Sequence, residues 1–215
     1  MMDEGHEPVF DPAFRADFAR LLEWRRDVRR FETTPLPGGT FERLVAQAAC
    51  APSVGLSQPW RFVLVESAAA RRAVRNSFER CNEDALSSLS GERAALYARL
   101  KLAGLDEAPC QFALFCDRAT RKGHGLGCRT MPQTLDYSTV MALHTLWLAA
   151  RAEGIGLGWV SILNPDEVRA ALTPPAAWHF IGYFCVGYPR QSSNVPELES
   201  AGWEERAALP EILCR

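Results

Sequence analysis

The sequence predicts an α+β domain in which helices are layered against a few buried strands. Short apolar runs rich in β-branched residues alternate with longer segments of helical period. The segment 136–153 is apolar around much of its circumference, which is typical of a central helix. The sequence lacks the glycine fingerprint of dinucleotide-binding folds and the phosphate-binding loop of nucleotide hydrolases. A length of 215 residues suits one domain with a full core.

In the first half of the chain, residues 12–26 carry apolar side chains every three to four positions and are predicted to form a helix. Thr40 is expected to be the N-cap of a helix over 41–51, since a helical apolar pattern follows it. Residues 61–66 are short, apolar and β-branched, as in a buried strand. Two further helices are predicted over 67–77 and about 82–104.

In the second half, residues 111–116 form the next predicted strand. The glycine-rich stretch 118–135 is expected to be an irregular loop, and the central helix 136–153 is expected to end at Gly154. Two more strands are predicted over 157–163 and 179–186, with Asn164 capping a helix over 165–172 between them.

Composition argues against several classes of function. The formal net charge is −2, so no overall positive charge favours nucleic acid or a membrane surface. No apolar run reaches the roughly 18 residues of a membrane span, and the acidic N-terminus does not resemble a signal peptide. The seven cysteines form no CxxC pair, which favours reduced thiols and argues against structural zinc. We therefore expect a cytoplasmic protein without a metal, a nucleic-acid partner or a membrane partner.

Arginines are concentrated between Arg25 and Arg30, around Asp27. One interpretation is a solvated basic helix end that complements the helix dipole. The other is an anion clamp, because guanidinium groups match phosphate oxygens. Asp27 opposes an anionic ligand, which indicates a second task such as hydrogen bonding or proton transfer.

Two other segments have polar groups in constrained surroundings. The loop that contains Ser53 and Gly55 is either a plain connection or a ligand-binding loop. Ser161 follows a glycine-rich stretch and is the hydroxyl of an apolar strand. It is either a core serine bonded to the backbone or a functional group.

Six strings occur together and in order, and they cover most of the chain: RRDVRRF (25–31), APSVGLSQPW (51–60), GERAALYARLKLAG (91–104), DYSTV (136–140), WLAARAEGIGLGWVSI (147–162) and PELESAGW (196–203). In this combination the sequence resembles the 5,6-dimethylbenzimidazole synthase family, the flavin-consuming branch of the nitroreductase-like proteins.

The resemblance implies a nitroreductase-like α/β/α sandwich with a central, mostly antiparallel sheet. It also implies a homodimer with FMN at the subunit interface. In this interpretation residues 1–215 form a single FMN-binding domain. A lid lies at about 82–104 and a C-terminal extension at about 188–215.

For the site, the resemblance implies that Arg25, Arg26 and Arg29 grip the phosphate and the flavin edge. Ordinary nitroreductases usually have Ser where this chain has Asp27. Asp27 and Ser161 are the implied catalytic residues beside the flavin ring. The other implied FMN-binding positions are Val28, Ser53, Gly55, Arg93, Leu102, Ile162 and Arg190, the last as the basic residue near the C-terminal tail.

The implied reaction takes reduced FMN and O₂ and yields 5,6-dimethylbenzimidazole, the lower ligand of vitamin B12, together with erythrose 4-phosphate. Such a site must admit O₂ to the flavin, exclude water and hold a proton-transfer group beside the ring. The sequence does not indicate how FMN is reduced. A separate flavin reductase could deliver it, with NAD(P)H acting only indirectly.

Two other functions remain open from the sequence. A conventional NAD(P)H-dependent nitroreductase or flavin reductase shares the fold and most FMN contacts, but Asp27 argues against it. A non-catalytic flavin carrier is also compatible with the motifs, but the polar pair of Asp27 and Ser161 disfavours it.

Overall fold

The computed structural model describes residues 8–100, 103–207 and 210–215. Its centre is a four-stranded antiparallel sheet in the order β1-β2-β4-β3. The strands are β1 (Trp60–Leu64), β2 (Cys110–Asp117), β3 (Gly156–Val160) and β4 (Trp178–Gly187). The helices are α1 (Pro12–Trp24), α2 (Thr40–Ala48), α3 (Ala68–Ser87), α4 (Gly91–Arg99), α5 (Gly104–Glu107), α6 (Thr134–Ala152), α7 (Pro165–Leu172) and α8 (Glu197–Ser200), with one 3₁₀ turn at Val54–Leu56.

The sheet is buried on both faces because alternate side chains of its strands point in opposite directions. In β2, Phe112 and Leu114 pack with α2 and α6, whereas Ala113 and Phe115 pack with α3, α5 and α7. Burying both faces of the sheet requires a helical layer on each side. The expected α/β/α sandwich with an antiparallel sheet is therefore confirmed.

The central helix is α6, as its apolar circumference predicted. It ends before Gly154, which has a φ of 74°. The predicted cap of α7 is also confirmed: the Asn164 side chain accepts hydrogen bonds from the backbone N–H groups of Asp166 (2.9 Å) and Glu167 (3.4 Å). No helix in the described ranges is long and apolar enough to cross a membrane.

Thr40 is not the N-cap of α2, contrary to the sequence prediction. Gly39 occupies the cap with a φ of 77°, and Thr40 is the first helical residue. The Thr40 side chain is buried, and its hydroxyl has no partner among the described residues. Glycine takes the cap because the chain enters this helix through left-handed backbone, which disfavours a β-branched residue.

The single helix predicted over about 82–104 is also wrong. The helix α3 continues to Ser87, and α4 and α5 are separate short helices. The Ser87 and Ser88 hydroxyls donate back to the carbonyls of Asp84 and Ala85, and Gly91 has a φ of 60°. These local bonds and the left-handed glycine end one helix and redirect the chain into the next.

The first helix ends at Trp24 rather than at residue 26. Residues 25–30, here called the arginine segment, are therefore not helical. Asp27 forms a parallel bridge with Leu157, and Phe31 forms an antiparallel bridge with Pro189. The segment therefore runs along the outer edge of β3. It brings Asp27 to the sheet, where a helical continuation of α1 would have turned it away.

The apolar stripe that predicts α1 is not covered by the part of the chain that the structure describes. This helix has no buried residue. Phe14, Phe18, Leu22 and Trp24 are all classed as exposed, with 37–49% of their surface accessible. A contiguous apolar surface of this kind is typical of a protein interface.

Candidate functional site

Asp27 is held in place by the edge of β3. The N–H of the next residue, Val28, donates to the Leu157 carbonyl at 3.0 Å. The Trp159 N–H donates to the Asp27 carboxylate at 2.8 Å. The Nε of Arg29 lies 3.8 Å from its other oxygen. One oxygen is thus fixed by the backbone, and the other faces a cation.

The environment of Asp27 shifts its protonation. Desolvation raises the pKa of the Asp27 carboxyl, and the Trp159 hydrogen bond and the Arg29 charge only partly oppose this effect. A carboxyl with a raised pKa exchanges a proton closer to neutral pH than an ordinary aspartate does. This property suits a group that holds or moves a proton beside a ligand.

Ser161 lies directly beyond the end of β3, because the strand stops at Val160 and not at the predicted residue 163. Its side chain is exposed, so the alternative of a core serine is wrong. Ile162 follows as a partly buried residue. The end of the strand therefore presents a hydroxyl to the same cavity as Asp27.

This cavity, the Asp27 pocket, has a volume of about 200 Å³. It groups four of the implied site residues, Asp27, Arg29, Ser161 and Ile162. The remaining lining residues are Phe78, Asn82, Tyr97, Leu100, Trp159, Leu198 and Trp203. Several of these walls are aromatic, which suits a flat ring.

A roof over the Asp27 pocket joins three separate parts of the chain. The Tyr97 hydroxyl of α4 donates to the Asn82 side chain of α3 at 2.9 Å. The Tyr97 ring packs on Trp203, and the two ring centroids are 6.1 Å apart. Trp203 belongs to the chain after β4, residues 188–207, here called the C-terminal segment. Sequence reasoning did not single out Asn82, which lies in none of the family strings. Trp203 ends the PELESAGW string, but no role in the site was predicted for it, because it meets Tyr97 only in the folded chain.

Arg25 and Arg26 lie outside this pocket. The guanidinium of Arg25 lies over the Trp147 ring, 4.9 Å from its centroid. Arg26 donates to the Asn194 carbonyl at 2.9 and 2.5 Å and to the Arg25 carbonyl at 2.7 Å. Arg26 thus ties the C-terminal segment to the arginine segment, whereas the Arg25 guanidinium has no hydrogen-bond partner among the described residues.

Arg190 anchors the far end of the arginine segment. It donates to the Phe31 carbonyl at 3.0 Å, and it pairs with Glu107 at 2.9 Å. Glu107 in turn accepts from the Phe31 N–H at 3.0 Å. These contacts fix the segment to α5. A contact between Arg190 and a phosphate stays a prediction.

Ser53 and Gly55 belong to a different part of the molecule. The Val54 N–H donates to Ser138 near the start of α6, whereas Trp147 donates to the Arg26 carbonyl from the second half of that helix. Ser138 and Trp147 are nine positions apart on the helix, a rise of about 14 Å. One chain alone does not bring this loop to the Asp27 pocket.

Two other implied positions are not assigned to the pocket. Arg93 is exposed on α4 and is not part of the wall of the Asp27 pocket. Leu102 lies outside the described residues.

The donor set favours one type of ligand. Within the described ranges, no group of three or more His, Cys, Asp or Glu side chains could hold a metal ion. Guanidinium groups lie beside an aromatic-walled pocket that contains a carboxylate and a hydroxyl. A planar ring with a phosphate tail fits this arrangement, with the ring near Asp27 and the phosphate towards the arginines.

Comparisons with known proteins show the family and the fold of this chain. The sequence model of the nitroreductase family matches residues 22–188. The chain is 55% identical to a 5,6-dimethylbenzimidazole synthase of Rhodospirillum rubrum, covering 95% of this chain and 97% of that protein. It is 46% identical to one of Rhodobacter capsulatus, covering 91% and 95%. The structure of an iodotyrosine deiodinase with bound FMN and 3-iodo-L-tyrosine superposes with a TM-score of 0.69 at 22% identity, covering 92% and 97%.

Proposed function

The chain belongs to the nitroreductase family and, within it, to the group of 5,6-dimethylbenzimidazole synthases, and from this premise we propose that it cleaves reduced FMN with O₂. The products are 5,6-dimethylbenzimidazole, the lower ligand of vitamin B12, and erythrose 4-phosphate. The flavin is thus the substrate and is consumed in each turnover.

The observation that carries this proposal is the placement of Asp27. A carboxylate with a raised pKa is fixed by the Trp159 N–H in the same pocket as the exposed hydroxyl of Ser161. Breaking carbon bonds in a flavin requires protons to be moved at the ring, and this needs a proton-transfer group beside it. Asp27 accepts or returns such a proton, and Ser161 supplies a hydrogen bond beside it.

The residues present fit FMN. Arg25 and Arg29 bind the phosphate and the flavin edge, and the aromatic walls hold the ring. Reduced FMN, when bound, supplies both the electrons for O₂ and the ring atoms of the aromatic product. The roof formed by Tyr97, Asn82 and Trp203 keeps water from this pocket. We assign the lid role to α4 and the C-terminal segment on this basis.

The function is tested by mixing the purified protein with reduced FMN in air and analysing the products by liquid chromatography and mass spectrometry. We expect 5,6-dimethylbenzimidazole to form, and an oxygen-free reaction is the control. Rapid NADPH-driven reduction of a nitroaromatic, with FMN retained through many cycles, would instead identify a conventional nitroreductase. Intact reoxidation of FMN without either reaction would identify a flavin carrier.

We further propose that the protein is a homodimer and that the partner subunit completes the FMN site. Two observations support this. The apolar face of α1 is exposed, and the loop of Ser53 and Gly55 lies away from the Asp27 pocket of its own chain. In a dimer, that loop would approach the FMN bound by the other chain. We place this dimer in the cytoplasm, in agreement with its seven free cysteines, and expect a separate reductase to supply reduced FMN.

The dimer is tested by placing a charge on the apolar face of α1. We expect light scattering to give a mass of twice the 23.9 kDa of one chain. Phe18→Glu should shift the mass towards one chain and weaken FMN binding, because burying an unpaired carboxylate opposes association. Ala16→Glu adds the same charge to the same helix beside this face. The mass that light scattering gives for this variant should stay closer to that of the dimer. A monomeric wild type that binds FMN fully would contradict the proposal.

A further inference from the structure

We propose that a second cavity beside the Asp27 pocket binds the neutral aromatic product, and that the charge at its mouth keeps the phosphate product out. This assignment rests on the proposed function, because that reaction makes one apolar and one anionic product in the same pocket. The second cavity, here called the side chamber, is bounded by α3, α4 and α5.

The side chamber adjoins the site directly. It has a volume of about 400 Å³, and it shares Phe78, Asn82, Tyr97 and Leu100 with the Asp27 pocket. The two cavities are thus separated by one layer of side chains. The hydrogen bond between Tyr97 and Asn82 is part of that layer, so rotation of these two side chains would open a passage between them.

The interior of the side chamber suits an aromatic molecule. Phe78, Leu86, Leu100 and Leu105 contribute apolar walls. Transfer of an apolar ring from water to such walls is favourable, and the volume is in the range typical of small-molecule sites.

Among the described residues that line the side chamber, the charged side chains carry a net negative charge. Arg75 pairs with Glu79 at 3.0 Å and with Asp106 at 2.8 Å, and all three side chains are about half exposed, at 49–51%. One guanidinium between two carboxylates leaves one formal negative charge. Sugar phosphates are anions and are repelled here, whereas a neutral benzimidazole is not, and its ring N–H can donate to a carboxylate.

The arginine segment has the opposite charge. Residues 25–30 carry four arginines, Arg25, Arg26, Arg29 and Arg30, against the one carboxylate of Asp27. The phosphate is therefore attracted to the edge of β3, and the aromatic product is left to the side chamber. The two products part according to their charge.

The test measures binding of 5,6-dimethylbenzimidazole to the protein loaded with oxidised FMN, by calorimetry. We expect saturable binding while FMN stays bound. Ala98 lines the side chamber from α4, and Ala98→Trp should fill it and weaken this binding at least tenfold. Ala95→Trp adds the same side chain to the same helix at an exposed position that lines neither cavity, and should leave the affinity within twofold. FMN affinity should be unchanged in both variants.

A second measurement tests the role of charge. Benzimidazole-5-carboxylate, an anionic analogue, should bind the wild-type protein at least tenfold more weakly than the neutral product does. The double variant Glu79→Gln, Asp106→Asn leaves Arg75 without its two carboxylate partners. In this variant the affinities for the neutral product and for the anionic analogue should differ threefold or less.

The assignment is overturned if the aromatic product binds only to protein without FMN, or if Ala98→Trp leaves its affinity unchanged. Leu86→Trp fills the same chamber from α3 and replaces Ala98→Trp if that variant does not fold. Formation of product from reduced FMN by the wild-type protein tests the proposed function separately. Its absence overturns that function, whereas loss of the Ala98-dependent binding overturns only the side chamber.

Discussion

Replacing Asp27 by Asn is expected to lower the rate of 5,6-dimethylbenzimidazole formation by about 100- to 10,000-fold, the usual contribution of a positioned proton-transfer group. FMN affinity should change little. The Asn side-chain oxygen can still accept the Trp159 N–H bond that now holds Asp27 at 2.8 Å. The variant should also fold, since desolvation raises the pKa of Asp27 and its ionisation therefore opposes folding.

The pH dependence of the wild type gives an independent check of this role. If the ionised form of Asp27 accepts the proton, activity falls as the pH drops through its pKa. Because that pKa is raised, the fall begins at a higher pH than an ordinary aspartate would give. Asp27→Asn should remove this limb, whereas Asp84→Asn, an exposed change on α3, should preserve it. An Asp27→Asn protein with normal activity would reduce Asp27 to a structural anchor.

Gly158→Ala is expected to destabilise the protein by about 3 kcal/mol and to displace Asp27. A Cβ at Gly158 would lie 2.0 Å from the Val28 carbonyl oxygen. That contact is to backbone, so no side-chain rotation relieves it, and the arginine segment must move away from β3. The hydrogen bond from Val28 to Leu157 should then be lost.

This prediction is checked by thermal unfolding together with FMN affinity. Gly38→Ala is the matched control, because a Cβ there would meet nothing within 4 Å. We expect the unfolding temperature of Gly38→Ala to be close to that of the wild type. Gly158→Ala should unfold at a clearly lower temperature and bind FMN more weakly. Equal stability of the two variants would show that the arginine segment does not depend on its contact with β3.

The layers of the fold could be predicted because they depend on periodicity. The strands and α6 have apolar patterns that predict buried elements, and these predictions held apart from the end of β3 and the exposed Val140 and Met141 of α6. The breaks within 82–104 could not be predicted as easily. They depend on serine hydroxyls that bond to nearby backbone carbonyls and on one glycine with a positive φ. The serine bonds compete only weakly with helix formation, so the sequence pattern does not reveal them.

The site was predictable only in part. The arginine segment and Asp27 stand out in the sequence, but their partners do not. Arg26 donates to the carbonyl of Asn194, which is 168 positions away in the sequence. Arg190 pairs with the carboxylate of Glu107, which is 83 positions away. Such pairings arise from the tertiary fold. For the same reason, the apolar period of α1 predicted a helix but could not show that its apolar face would remain exposed in one chain.

Consumption of the flavin distinguishes the reaction proposed for this chain from that of a flavin reductase. The most direct test is a balance of flavin in a single turnover: protein in excess over reduced FMN, exposed to O₂, with FMN, 5,6-dimethylbenzimidazole and erythrose 4-phosphate all quantified. We expect the two products to appear in equal amounts that match the FMN that is lost. Full recovery of oxidised FMN, with hydrogen peroxide in its place, would contradict it.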